Sequence, residues 1–159
     1  MEIEHKFLVC GPYKHLATAC THITQCYISD DPQRTVRVRI RNDKAVLTIK
    51  GGSSADGLSR YEWEKSVPVD EARELMRLAL PGTIDKHRYI VPYQGHEWEI
   101  DEFHGDLEGL ILAELEVPCA DTKFAVPPFI GKEVSGDRRY YNSQLRHLSA
   151  PPEDDDSCR

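Results

Sequence analysis

Apolar and charged residues alternate with a period of two along most of this chain. In a strand, side chains point to opposite faces in turn, so Glu2, Glu4 and Lys6 share a face. Arg37, Arg39 and Arg41 share another, opposite Val36, Val38 and Ile40. Lys44, Val46, Thr48 and Lys50 alternate with Ala45, Leu47 and Ile49, and Glu62 and Glu64 with Tyr61 and Trp63. Lys86 and Arg88 follow, then Glu99 and Asp101 against Trp98 and Ile100, and last Glu114 and Glu116 against Ala113, Leu115 and Val117. The pattern predicts strands over residues 2–10, 22–29, 34–40, 45–50, 60–67, 84–92, 96–103 and 110–117.

Asn42-Asp43 and Gln94-Gly95 have the composition of hairpin turns. Residues 51–57 read as a Gly- and Ser-rich connector; without a Gly-Lys-Ser/Thr ending they are no P-loop. Residues 70–80 carry Ala72, Leu75, Met76, Ala79 and Leu80 at helical spacing, start on acids and stop at Pro81-Gly82. Shorter helices are expected after Gly11-Pro12 and over about 141–148. His5, out of phase with Glu4, is expected at the surface or in packing.

One alternating segment is ordinarily a half-wet antiparallel strand. Here the polar faces are dominated by Arg and Glu, with few neutral residues between, and nearly every strand carries them. Charged edges guard a sheet against aggregation, yet only edges need guarding. Closing the sheet resolves this, because all the charged faces can then point into one lumen while helices cover the apolar outside. The expected fold is thus α+β, mainly antiparallel β: an eight-stranded closed barrel with a charged lumen and helices packed outside. Buried charges persist only when paired or ion-bound, so the cations imply a polyanion and the carboxylates a metal.

At 159 residues and 40% hydrophobic, the chain suits one domain. It is expected over residues 1–148, with 149–159 a disordered acidic tail. A net charge of −7 argues against a general nucleic-acid or anionic-membrane binder, so a cationic site must be local and enclosed. No apolar run is long enough to span a bilayer, and no charged leader with an apolar stretch precedes the first strand. Cys10, Cys20, Cys26, Cys119 and Cys158 form no Cys-x-x-Cys pair and are odd in number, which favours a reduced cytoplasm. The histidines are scattered, which disfavours zinc. Oligomeric state is not legible, and a homodimer stays open.

Glu-x-Glu-x-Lys at the N-terminus, Thr35-Val36-Arg37-Val38-Arg39, Leu47-Thr48-Ile49-Lys50-Gly51 and Arg60-Tyr61-Glu62-Trp63-Glu64 occur in a specific order. Lys86-x-Arg88-Tyr89, Glu99-Ile100-Asp101, Ala113-Glu114-Leu115-Glu116 and the run from Val134 to Asn142 complete it. This set resembles the CYTH family, or triphosphate tunnel metalloenzymes, and most of all its short bacterial tripolyphosphatase-like members. The resemblance implies an eight-stranded tunnel that binds a triphosphate with Mg²⁺ or Mn²⁺. It implies metal ligands at Glu2, Glu4 and Glu116, and phosphate contacts at Lys6, Arg37, Arg39, Lys50, Lys86, Arg88 and Arg138. Arg41, on the face of Arg37 and Arg39, joins the expected phosphate set. Glu62, Glu64, Asp101 and Glu114 are left between holding metal, orienting water and pairing with the basic groups. Of these, Asp101 and Glu114 are grouped with the metal ligands, and Glu62 and Glu64 with the catalytic residues.

Thr24-Gln25-Cys26-Tyr27-Ile28 resembles the family's Gln-Gly-Tyr-Leu segment, with Cys26 in place of the glycine. The resemblance implies a catalytic dyad of Tyr27 and Lys6. The expected activity is metal-dependent hydrolysis of inorganic tripolyphosphate to pyrophosphate and phosphate. The alternatives are cyclisation of ATP in the manner of a class IV adenylate cyclase, hydrolysis of thiamine triphosphate, and a non-catalytic polyphosphate-binding module.

Overall fold

The computed structural model describes residues 3–53 and 60–154. Glu2, the connector from residue 54 and the last five residues of the expected acidic tail lie outside them. The strands are β1 (Ile3–Val9), β2 (Ala19–Asp31), β3 (Arg34–Arg41), β4 (Lys44–Ser53), β5 (Arg60–Val67), β6 (Ile84–Tyr93), β7 (His96–Phe103), β8 (Ile111–Val117) and β9 (Ile130–Glu133). Two helices, α1 (Val69–Met76) and α2 (Asn142–Leu145), and three 3-10 turns complete the elements of the described residues. It divides into two compact units: a terminal unit of Met1–Thr21 with Lys86–Arg159, and a central unit of His22–Asp85.

In the terminal unit the antiparallel order is β6-β7-β8-β1-β9. The β6–β7 hairpin closes through Gln94 and Gly95, at φ 43° and 85°; both sit in the left-handed region that a two-residue hairpin turn requires. One sheet face is apolar, with Phe7, Val91, Trp98, Ile100, Ala113, Leu115 and Val117 buried together. Burying each large side chain contributes roughly 1.5–3 kcal/mol. Tyr13 and Phe129 from the connecting segments close this core, and Phe124 packs against Trp98 at a ring separation of 5.9 Å. His5 packs on Phe124 and hydrogen-bonds Glu133.

The central unit has the order β5-β4-β3-β2, antiparallel throughout. Cys26, Val38, Ala45 and Ala72 are buried with Ile28, Ile40, Leu47, Leu75 and Met76, so α1 covers the apolar face as its spacing predicts. Asp70 and Glu71 stand in its first turn, where carboxylates favour the helix dipole. The helix stops at Met76 rather than at residue 80. Leu78 and Ala79 instead donate to carbonyls three residues back, and the Leu80 amide is taken by the Tyr27 carbonyl at 2.8 Å, drawing the chain onto β2.

Three expectations on the fold need correction. The described residues form nine strands, not eight, because β9 is a four-residue Ile-Gly-Lys-Glu segment too short to show alternation. The ladders do not close into a barrel: among the described residues β5 pairs only with β4, and β9 only with β1. Nor do helices cover the terminal unit's apolar face, which is closed by the connecting segments around Tyr13, Phe124 and Phe129. Cys10 is disulfide-bonded, whereas Cys20, Cys26 and Cys119 carry free thiols. No helix of the described residues is long and apolar enough to cross a membrane.

Candidate functional site

The second face of the terminal unit's sheet is charged, and strand register explains how its residues meet. Arg88 lies opposite Asp101, Glu99 opposite Glu114, Lys6 opposite Glu114, and Glu4 opposite Glu116. Directly opposed residues share a face with Cβ atoms about 5 Å apart, so these charges bond across the strands. The Arg88 guanidinium donates from Nε and Nη2 to the two Asp101 oxygens at 2.8 and 2.9 Å, and reaches Glu99 at 2.6 Å and Glu114 at 3.7 Å. Lys86 Nζ donates to Asp101 at 2.8 Å. Lys6 Nζ donates to the Tyr140 carbonyl at 3.0 Å and stands 3.5 Å from Glu114.

This network is deeply enclosed. The Lys86 and Asp101 side chains are each 1% exposed. Burial works to raise the Asp101 carboxyl, but the hydrogen bonds and charges of Arg88 and Lys86 outweigh it and hold Asp101 below the usual carboxylate range. Burial pulls the Lys86 ammonium down, with Asp101 offsetting part of that pull. Both Asp101 oxygens are committed to cations, which is the pairing geometry among the roles left open from sequence.

Glu4 behaves in the opposite way. Partial desolvation and the Glu114 carboxylate raise its carboxyl, and it shares a side-chain hydrogen bond with Glu114; Lys6 offsets only part. Register sets Glu4 opposite Glu116, with Glu114 on the same face of β8, so carboxylates crowd there and a cation would relieve their repulsion. The all-oxygen donor set of Glu4, Glu114 and the exposed Glu116 suits a hard dication. Among the described residues no three His, Cys, Asp or Glu side chains surround one point, Glu2 being outside them.

In the central unit, register sets Tyr27 opposite Arg37, Arg37 opposite Thr48, and Thr48 opposite Glu64 in one row across four strands. The adjacent row runs Gln25, Arg39, Val46. Lys50 lies opposite Thr35 and Glu62. Arg39 Nε donates to Gln25 Oε1 at 2.9 Å, Thr48 donates to Glu64 at 3.3 Å, and Lys50 is 3.9 Å from Glu62. Arg37 Nε is buried with no hydrogen-bond partner among the described residues. A buried donor left unmatched costs about 1–3 kcal/mol, so this one suits an incoming acceptor.

The structure thus brings Glu4, Lys6, Lys86, Arg88, Asp101 and Glu114 into one network within the terminal unit, with Glu116 on the same strand face as Glu114. It sets Tyr27, Arg37, Arg39, Lys50, Glu62 and Glu64 on one face of the central unit. Arg41 is exposed at the end of β3, opposite Lys44. Arg138 opens the 3-10 turn Arg138–Tyr140 and lines a cavity of about 450 Å³ with Arg139 and Pro151. Sequence reasoning missed three participants. Gln25 shares a strand face with Tyr27, a signal that was available. Glu99 shows its role only once β6 and β7 are registered. The Tyr140 carbonyl is a backbone group and has no sequence signature.

The chain is similar to known proteins over nearly its full length. An inorganic triphosphatase of Acetivibrio thermocellus is 47% identical over 146 residues, covering 91% of this chain and 92% of that protein. An inorganic triphosphatase of Nitrosomonas europaea is 33% identical over 156 residues, covering 94% and 99%. A crystal structure of an inorganic triphosphatase superposes with a TM-score of 0.77 at 28% identity, covering 92% of this chain and 94% of that one. The CYTH domain pattern matches residues 1–142, and with these relatives it shows that the chain belongs to the CYTH domain family.

Proposed function

We propose that this protein hydrolyses inorganic tripolyphosphate to pyrophosphate and phosphate with the help of a divalent metal. The observation that carries the reading is the face of β1 and β8 on which register gathers Glu4, Glu114 and Glu116, with Lys6 Nζ 3.5 Å and Arg88 Nη2 3.7 Å from Glu114. Both curated relatives are named inorganic triphosphatases, which supports it. Glu4, Glu114 and Glu116, with Glu2, would hold Mg²⁺ or Mn²⁺, which supplies neutralisation of phosphoryl charge and a more acidic bound water.

The chain's own residues do the rest. Arg37, Arg39, Arg41, Lys50, Arg88 and Arg138 take phosphate oxygens, the arginines through planar two-pronged forks. Arg37 brings an Nε with no partner among the described residues. Lys86 and Asp101 hold Arg88 in place. Lys6 and Tyr27 are assigned to catalysis at the scissile phosphoryl group, and Glu62 and Glu64 to orienting the attacking water. Phosphoryl transfer asks chiefly for positioning and charge stabilisation, and these groups supply both.

The test compares kcat/KM for tripolyphosphate, ATP and thiamine triphosphate at one Mg²⁺ concentration, with cyclic AMP assayed alongside. Tripolyphosphate should lead by far and no cyclic AMP should form. The assigned residues address phosphate, metal, the attacking water or one another, and none of them is assigned the stacking and polar edge contacts that would orient adenine. A preference for either organic triphosphate, or appreciable cyclic AMP, sinks the tripolyphosphatase reading. A cytosolic setting is part of the proposal, carried by the free thiols of Cys20, Cys26 and Cys119. Cell fractionation that finds the chain outside the cytosol, where the Cys10 disulfide would also be stable, overturns that setting.

A further inference from the structure

The segment that carries Asp154 folds back on the turn behind Lys6. Asp154 presents a carboxylate that is only 7% exposed and meets three donors: Lys132 Nζ at 3.2 Å, Arg139 Nη2 at 3.5 Å and the Tyr140 hydroxyl at 3.3 Å. Arg139 Nη1 also donates to the Glu153 carbonyl at 3.0 Å, while its other nitrogens hold Asp137. The Tyr140 ring, fully buried, lies under the Arg139 guanidinium at 5.3 Å. Burial and the Asp154 charge both raise the Tyr140 phenol, which keeps it a donor. Charge-assisted bonds in an enclosed site are the strong ones, so this contact fixes the turn.

What the turn presents on its other side is the Tyr140 carbonyl, which receives Lys6 Nζ. The preceding stretch grips the Lys6 backbone as well: Val134 N donates to the Lys6 carbonyl at 2.7 Å, and Lys6 N donates to Ser135 Oγ at 2.9 Å. A continuous path of named bonds therefore runs from Asp154 through Tyr140 to the Lys6 ammonium. We propose that Asp154 is a positioning residue for the triphosphate site, holding the Tyr140 carbonyl so that Lys6 Nζ is aimed for substrate. This rests on the assignment of Lys6 to that site. It gives the first residues of the C-terminal acidic run a role that their composition does not suggest. A shift of about 1 Å at a group that binds the reacting phosphate is enough to cost a large factor in rate.

The test is a double-mutant cycle read by calorimetric binding of tripolyphosphate in the presence of Mg²⁺, on the full chain. Asp154→Ala should weaken binding about tenfold, and Tyr140→Phe by less, with the same sign. In a Lys6→Met background, Asp154→Ala should weaken it no further. A purely structural role would persist in that background, so a loss that remains tenfold there overturns the inference, as does unchanged affinity in Asp154→Ala. Should Asp154→Ala fold poorly, the same cycle with Tyr140→Phe decides. Hydrogen exchange supplies an arm independent of substrate: the Tyr140 amide, bonded to the Asp137 carbonyl at 3.1 Å, should exchange faster in Asp154→Ala, and unchanged protection contradicts the path. A wild-type chain that binds no tripolyphosphate would instead defeat the triphosphatase reading, leaving exchange to judge the path.

Discussion

The terminal and central units carry the same alternating pattern and use it differently. In the terminal unit the charges are spent on one another: Lys6, Lys86 and Arg88 each have a carboxylate within 4 Å, and Asp101 serves two of them at once. On the charged face of the central unit three cations are held differently. Arg39 Nε is held by the neutral amide of Gln25, Lys50 approaches Glu62 only at 3.9 Å, and Arg37 Nε is buried without a partner among the described residues. A self-neutralised network is a rigid frame, while a buried guanidinium nitrogen without a partner, as at Arg37, is competent to take an acceptor. The terminal unit's charges are thus knit around Asp101, whereas the central unit keeps at Arg37 a buried donor without a partner among the described residues.

The sharpest way to break this contrast is Asp101→Ala, which strands Lys86 in the interior with no carboxylate on it. Breaking a buried pair from one side costs about 3–5 kcal/mol, so urea denaturation should show a loss of that order. A loss under about 1 kcal/mol, at the level of a surface pair, would mean the frame is not what holds this unit.

Next in size is Glu4→Gln, which keeps shape and removes one charge of the carboxylate pair. Turnover should fall by roughly 3–4 kcal/mol in activation free energy while the fold is retained. Near-normal rates at saturating Mg²⁺ would refute Glu4 as a metal ligand.

Arg39→Ala probes the proposed phosphate face of the central unit. Binding of tripolyphosphate should weaken by about 2 kcal/mol or more, yet the free protein should melt no lower than wild type, because the substitution thins a crowd of like charges. Unchanged affinity in calorimetry would show that the central face does not meet substrate.

The smallest expected effect is a pH dependence that differs in sign between two carboxyls of the terminal unit. Asp101 is held low, so its contribution is complete above the ordinary carboxylate pKa of about 3.9 and is lost as pH falls through its depressed value. Glu4 is held high, so the stability linked to its proton is present below its ordinary value and is lost as pH rises through the raised one. Glu4→Gln should therefore raise the metal-free Tm at pH 7 and do little at pH 4. A Tm that drops at pH 7 would show that Glu4 is not crowded by Glu114 and Glu99.

Strand phase was legible because it depends only on neighbours in sequence. Arg37 and Arg39 do share a face opposite Val38 and Ile40, and the hairpin turns at Asn42 and Gln94 carry the positive φ their composition implies. What failed was whatever depends on distant partners. The end of α1 is set by the Tyr27 carbonyl, β9 exists because β1 offers it an edge, and ring closure is a property of the whole sheet rather than of any segment. At the site, the charged residues were visible, but the pairing of Lys86 and Arg88 with Asp101 follows from the β6–β7 register. The Lys6 bond to a backbone carbonyl of residue 140 has no side-chain signature at all.

Metal-dependent tripolyphosphate hydrolysis is read most directly by phosphorus NMR of inorganic tripolyphosphate incubated with the purified chain and Mg²⁺, repeated after chelation and again after metal is restored. Pyrophosphate and phosphate should appear in equal amounts, with turnover stopping on chelation and resuming on restoration. Tripolyphosphate that stays intact at saturating metal, while calorimetry shows it tightly bound, would contradict the enzyme and leave a polyphosphate-binding protein in its place.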